Sequence, residues 1–316
     1  MQLLRHRADR RSLAFVGTYF ALIALGYSAT LPWWGNLGLT LALCLMSFFC
    51  AVITHNSIHS PVFYAPSFNQ LFHVALTLAY GHPVNAFVPG HNLSHHRYTQ
   101  KAKDAMRTSK LRFRWNWLNQ LLFSQVVGPT IFRDNLAYVR YARQAKPRWY
   151  RQFMGQLLIY LAYLSAALVL DWQKFLLFVF IPHQYAAWGI MGINFVQHDG
   201  CDADSPYNHS RNFVGKWTNW WTFNNGYHGM HHMKPSLHWS LLPRVHHREL
   251  HPHIHPNLEQ RSLLAYAWRA YIYPGQRLHY EGGILELEAP VADEPWVPSY
   301  QTQRADDAQA APALLR

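Results

Sequence analysis

The chain has 316 residues, half of them hydrophobic and only 14% charged, with 13 Trp, 18 Tyr and 18 Phe. Its formal charge is +12, from 28 Lys and Arg against 16 Asp and Glu, and it carries 21 histidines but only three cysteines. With Cys44, Cys50 and Cys201 scattered and no Cys-x-x-Cys pair, the sequence argues against a disulfide framework and a thiolate zinc site and excludes a four-cysteine iron–sulfur cluster.

A basic start (Arg5, Arg7, Arg10, Arg11) runs into Leu13–Thr30, then the turn Leu31-Pro32-Trp33-Trp34-Gly35-Asn36, then Leu37–Thr54. Each apolar stretch has 18 residues, about 27 Å of helix and enough for a hydrocarbon core. The short connection predicts an antiparallel hairpin with Trp33 and Trp34 at the interface. No small-residue cleavage site follows, so the segment reads as a retained anchor and not a signal peptide.

Phe68–Tyr80 is apolar but stops at Gly81 and Pro83, which predicts an interfacial or re-entrant piece. Leu118–Phe132, interrupted by Gly128 and Pro129, reads the same way. Met154–Leu170 and Phe175–Val196, joined by residues 171–174, form a second hairpin, with Pro182 and His183 predicting a kink or a polar contact.

The predicted fold class is therefore all-α integral membrane: about four transmembrane helices in two hairpins, with interfacial helices and a helical cytoplasmic cap. Residues 1–288 are expected to form this domain, and 289–316, rich in Ala, Pro, Gln and Asp, a flexible cytoplasmic tail. Four spans put both termini on one side, which the basic N-terminus assigns to the cytoplasm. A second basic run, Arg97–Arg114, reads as a lipid-facing or topology-setting surface or a dock for an acidic electron donor or an anionic acyl carrier, so the positive charge calls for no nucleic-acid partner.

Histidines concentrate in three clusters: His55-Asn56-Ser57-Ile58-His59, His91-Asn92-Leu93-Ser94-His95-His96 and His228-Gly229-Met230-His231-His232. Spacings of three and four place side chains on one helical face, within reach of one metal. Adjacent histidines diverge by about 100°, so a His-His pair can serve two metals. Eight imidazoles suit zinc, copper, iron or nickel and are too many for one closed zinc site. Two such metals at the cytoplasmic ends of apolar spans fit iron and oxygen chemistry best.

The order and spacing of these clusters resemble the three histidine boxes of the membrane fatty acid desaturase family, over roughly Leu13 to Pro256. The resemblance implies a ninth ligand, His198, at the end of the fourth span, and an iron approached through water by Asn194. The implied ligands are thus His55, His59, His91, His95, His96, His198, His228, His231 and His232, holding two irons. The resemblance further implies dioxygen as cosubstrate and a lipid or acyl-thioester as substrate. It also implies that two electrons come from a separate ferredoxin or small haem protein with its reductase.

Asn56 departs from the acidic residue that often follows the first histidine, and Gly229-Met230 from a more polar pair. Either change alters hydrogen bonding around the imidazoles. His238 is a candidate for orienting a metal-bound imidazole, weighed evenly against plain packing. His73, His82, His183 and His209 read as structural or solvated, and the run His246–His255 as a solvated basic surface. Asp199, Asp202 and Asp204 read as a hydrated acidic turn, and Trp217–Phe223 as an interface anchor. The expected function is a di-iron acyl or lipid desaturase. A histidine-box hydroxylase or ketolase on a lipid or carotenoid is the first alternative, and a histidine-rich metal transporter the distant one.

Overall fold

The structure, a computed structural model, describes residues 2–298. Helix α1 (Arg10–Ser28) turns through Pro32 into α2 (Trp33–His59), forming the first predicted hairpin. Next come α3 (Pro66–Tyr80) and a composite helix, α4 (84–98), whose central residues Pro89–His95 are π-helical. Helix α5 (Asn116–Ala145) leads into the second hairpin, α6 (Pro147–Leu170) and α7 (Trp172–His198).

Among the described residues, α2, α6 and α7 are the helices long and apolar enough to cross a membrane. Helix α1, expected as the first of four spans, is 19 residues long and opens with Arg10 and Arg11. Only 11% of the apolar window of α6 is buried within the protein. Its outward Leu158, Leu161, Leu168, Val169 and Leu170 are exposed, a surface that is stable against lipid and not against water.

Helices α1, α2 and α7 share one core, with Phe15, Tyr19, Leu43, Phe49, Ile53, Phe178 and Ile190 buried in it. A Cβ on Gly189 would come within 2.7 Å of the Phe48 ring, so the bare glycine is what lets α7 approach α2 this closely. Asp171 caps α7 by accepting hydrogen bonds from the Gln173 and Lys174 amides, both at 3.0 Å. The predicted disturbance at Pro182 takes the form of a π-turn at Leu176–Phe180; proline offers no amide to the carbonyl one turn earlier, and a widened turn absorbs the mismatch. His183 is buried: its Nε2–H donates to the Leu78 carbonyl at 3.0 Å and the Tyr160 hydroxyl donates to Nδ1 at 3.3 Å.

Pro129 does not interrupt its helix: α5 runs unbroken for 30 residues. A proline inside a helix costs about 3 kcal/mol. Burying Phe123, Val127 and Tyr138 from the same helix outweighs it, at about 1.5–3 kcal/mol for each large apolar side chain.

Beyond α7 lies the cap, with α8 (Lys216–Trp221), α9 (His228–Met233) and α10 (Leu242–Glu249). One departure from the all-α expectation is a parallel pair, β1 (Asn212–Phe213) with β2 (Glu259–Gln260). The cap is fastened to α1 by Arg11, whose guanidinium lies 4.7 Å from the ring centres of both Phe223 and Trp239.

Asp199, expected in a hydrated turn, is instead buried against Arg277, whose Nε donates to Asp199 Oδ2 at 3.1 Å and whose Nη1 donates to the Leu111 carbonyl at 2.7 Å. Removing one partner strands a buried charge, at about 3–5 kcal/mol. Arg277→Met is therefore expected to lower the thermal unfolding midpoint of the purified protein, and an unchanged midpoint would show the pair to be dispensable.

The described part of the expected tail, 289–298, is held in place. Asp293 pairs with Arg107 and Lys110, and Trp296 Nε1 donates to Asp134 Oδ2 at 2.9 Å. Arg107 and Lys110 thus face protein and not lipid. Residues 299–316 of that tail lie outside the described residues.

Candidate metal centre

The last turn of α2 carries His55 and His59, α4 carries His91, His95 and His96, α7 ends on His198, and α9 carries His228, His231 and His232. These elements converge so that all nine imidazoles gather into two groups, each with ligand atoms within 4.8 Å of one another. One group is His55, His59, His91, His96 and His231, and the other is His95, His198, His228 and His232. Each group can hold one metal ion.

The adjacent pairs His95-His96 and His231-His232 split between the groups, as the 100° helical step requires. The wider spacings follow that rule only in part. His55 and His59 share a group, but His91 and His95, also four apart, do not. The reason is the π-turn at Pro89–His95: with i→i+5 bonding, residues five apart are the ones that superpose. His91 Nε2 accordingly meets His96 Nε2 at 3.0 Å. On α9 the four-residue pair, His228 and His232, shares a group, and His231 turns to the other.

Most of these imidazoles are buried. Desolvation first, and neighbouring imidazoles second, hold the pKa values of His91, His96, His228, His231 and His232 well below 6.5. They are therefore neutral at pH 7, with lone pairs free to donate to a metal.

Nitrogen faces nitrogen across both groups: His231 Nε2 to His96 Nε2 at 3.0 Å, His198 Nε2 to His228 Nε2 at 2.9 Å, and His232 Nε2 to His228 Nε2 at 3.1 Å. Among the described residues, the buried Nε2 atoms of His59 and His95 have no hydrogen-bond partner. Converging lone pairs with no proton donor between them fit a bound cation, so the residues present suit a pair of transition metals.

On His55, His95 and His198 the opposite ring nitrogen meets a fixed acceptor, which sets the tautomer that points Nε2 inward. His95 Nδ1–H donates to Asp104 Oδ2 at 2.9 Å, with both side chains fully buried. His198 Nδ1–H donates to the His209 carbonyl at 3.0 Å. His55 Nδ1–H lies 3.2 Å from Asn56 Oδ1, so Asn56 supplies an acceptor where the usual acid is missing. Asp104 escaped the sequence reading. The available signal was its isolation, as the sole acidic residue of the basic run 97–114.

A cavity of about 260 Å³ reaches both groups, with His55 and His91 of one and His228 of the other in its wall. The rest of the lining is largely apolar, including Phe87, Ile131, Phe132, Ile190 and Met191. Phe132 is 71% exposed on α5 and marks the mouth. Asn135, Asn194, Gln197, Asn225 and His82 are polar residues in its wall. Asn194 thus stands at the cavity, with its side-chain amide 3.4 Å from the Met106 carbonyl.

His238 is not brought to the groups: its Nε2 pairs with Asp9 Oδ2 at 3.0 Å and its Nδ1 with Ser240 Oγ at 2.8 Å, tying the cap to the N-terminal segment. The run His246–His255 is not one solvated surface either, because His246 is fully buried.

No curated protein matches this chain. The sequence profile of the fatty acid desaturase family, however, matches residues 11–262, a stretch that contains all nine clustered histidines and most of the chain, which therefore belongs to that family.

Proposed function

We propose that the protein is a membrane-bound di-iron oxidase that introduces a carbon–carbon double bond into a fatty acyl chain or lipid. The observation that carries this reading is the apolar cavity ending on imidazoles of both groups. At about 260 Å³ it is just smaller than the roughly 300–1,000 Å³ of small-molecule sites, and its largely apolar lining suits a hydrocarbon chain.

In this reading the nine histidines hold two irons, five ligands on one side and four on the other. Bound there, the iron pair would supply the activation of dioxygen that no side chain provides. The protein's own contribution is placement. Asp104, the His209 carbonyl and Asn56 orient the imidazoles, while Phe87, Ile131, Ile190 and Met191 exclude water and confine the substrate. In the balanced reaction the substrate gives up two hydrogens, a donor protein supplies two electrons, the solvent supplies two protons, and dioxygen leaves as two waters.

With no cysteine cluster in the chain, the electrons come from a separate ferredoxin or small haem protein with its reductase. Counting α1 as a fourth span beside α2, α6 and α7, the basic N-terminus assigns both termini and the metal centre to the cytoplasmic side.

The test is lipid and small-metabolite profiling of cells expressing the wild type beside a His231→Ala, His232→Ala variant. The expected result is a new double bond present only with the wild type. A product that gains one oxygen would overturn desaturation in favour of hydroxylation, and identical profiles would overturn both.

A further inference from the structure

The histidine-rich stretch after the third cluster carries chemistry that the two groups do not use. His246, on α10, has no solvent-exposed side-chain surface, and neither ring nitrogen has a hydrogen-bond partner among the described residues. A buried imidazole with both nitrogens unsatisfied is a costly arrangement that calls for an explanation.

Its Nε2 faces Glu259 Oε1 at 3.6 Å, too long for a hydrogen bond. The other oxygen of the same carboxylate, Oε2, lies 2.5 Å from His251 Nδ1. One ligand atom from each of His246, His251 and Glu259 falls within 4.8 Å of the other two. Around a tetrahedral zinc with bonds of about 2.0–2.2 Å, ligand atoms stand about 3.3 Å apart, so small side-chain shifts would close this triad on an ion.

The geometry points to a third, mononuclear metal site in which His246, His251 and Glu259 bind zinc(II), with water at an open fourth position. Two imidazoles and one carboxylate form a zinc ligand set and disfavour calcium or magnesium. His251 and Glu259 are 52% and 14% exposed, leaving a path for the ion and its water.

The three ligands come from α10, the turn after it, and β2. Strand β2 pairs with β1, whose Asn212 accepts from the Gly229 amide at 2.9 Å inside the third histidine cluster. Tyr227, next to His228, packs edge-on against His246 at 5.0 Å. Zinc here braces the third cluster from outside and shares no ligand with the two groups.

The experiment uses the purified, iron-loaded full-length chain, incubated with zinc(II) alone and desalted. Zinc and iron per chain are then counted by mass spectrometry for wild type, His251→Ala and Glu259→Gln. Each variant is expected to hold one zinc fewer per chain than wild type, with iron unchanged. Micromolar zinc is expected to raise the unfolding temperature of wild type and not of His251→Ala, whose replaced side chain is half exposed and leaves the packing intact. Equal zinc content in all three chains, or a zinc-induced shift that survives in His251→Ala, overturns the proposal.

Discussion

Replacing Asp104 by asparagine is expected to weaken metal retention and turnover about 10–100-fold, the usual cost of losing a partner that orients a metal-bound histidine. The carboxylate takes His95 Nδ1–H and the Gln100 amide on Oδ2, at 2.9 and 2.8 Å, and the Met106 amide on Oδ1, at 2.8 Å. Asparagine cannot reproduce this, because either amide orientation sets an N–H against an N–H. Turned one way the new NH2 opposes the Met106 amide, and turned the other it opposes His95 Nδ1–H and the Gln100 amide, so the hydrogen bond that fixes the His95 tautomer is strained or lost and Nε2 is less firmly aimed into the second group. Iron content after dialysis against a chelator, measured together with product formation, checks this. Wild-type iron retention in Asp104→Asn would show that His95 is oriented by packing alone.

Gly128→Phe tests the cavity without touching a histidine. Gly128 lines it, and an added Cβ there meets no atom within 4 Å. Glycine inside a helix is itself unfavourable by about 0.5–1 kcal/mol, so the fold tolerates the change. A phenyl ring would fill much of the roughly 260 Å³. Even one methylene of misfit in an apolar pocket changes specificity about 10–200-fold. Product from the preferred substrate is expected to fall at least about tenfold, or shift to a shorter chain, while iron content and unfolding temperature hold. An unchanged product profile would place substrate binding elsewhere.

The hairpins and the three histidine clusters were legible because both are local patterns: apolar run length and ligand spacing survive in the sequence whatever the tertiary contacts. What the sequence hid depends on backbone detail or distance. Spacing alone left the division of ligands between the two metals open, and the π-turn at Pro89–His95 is what puts His91 and His95 in different groups. Asp104 sat among lysines and arginines and read as part of a charged surface. Asp199 and Arg277 are 78 residues apart, so neither revealed that the other would neutralise it. Pro129 read as a break because proline's local penalty is visible in a sequence and the packing that outweighs it is not.

Two groups of imidazoles, five and four, are proposed to hold one iron each. Iron counted per chain in the purified protein, for wild type, His91→Ala and His198→Ala, tests this assignment most directly, since the two substitutions strike different groups. Two irons are expected in wild type and fewer in each variant. A wild-type chain that retains one iron or none after anaerobic loading, or an iron content indifferent to both substitutions, would contradict it.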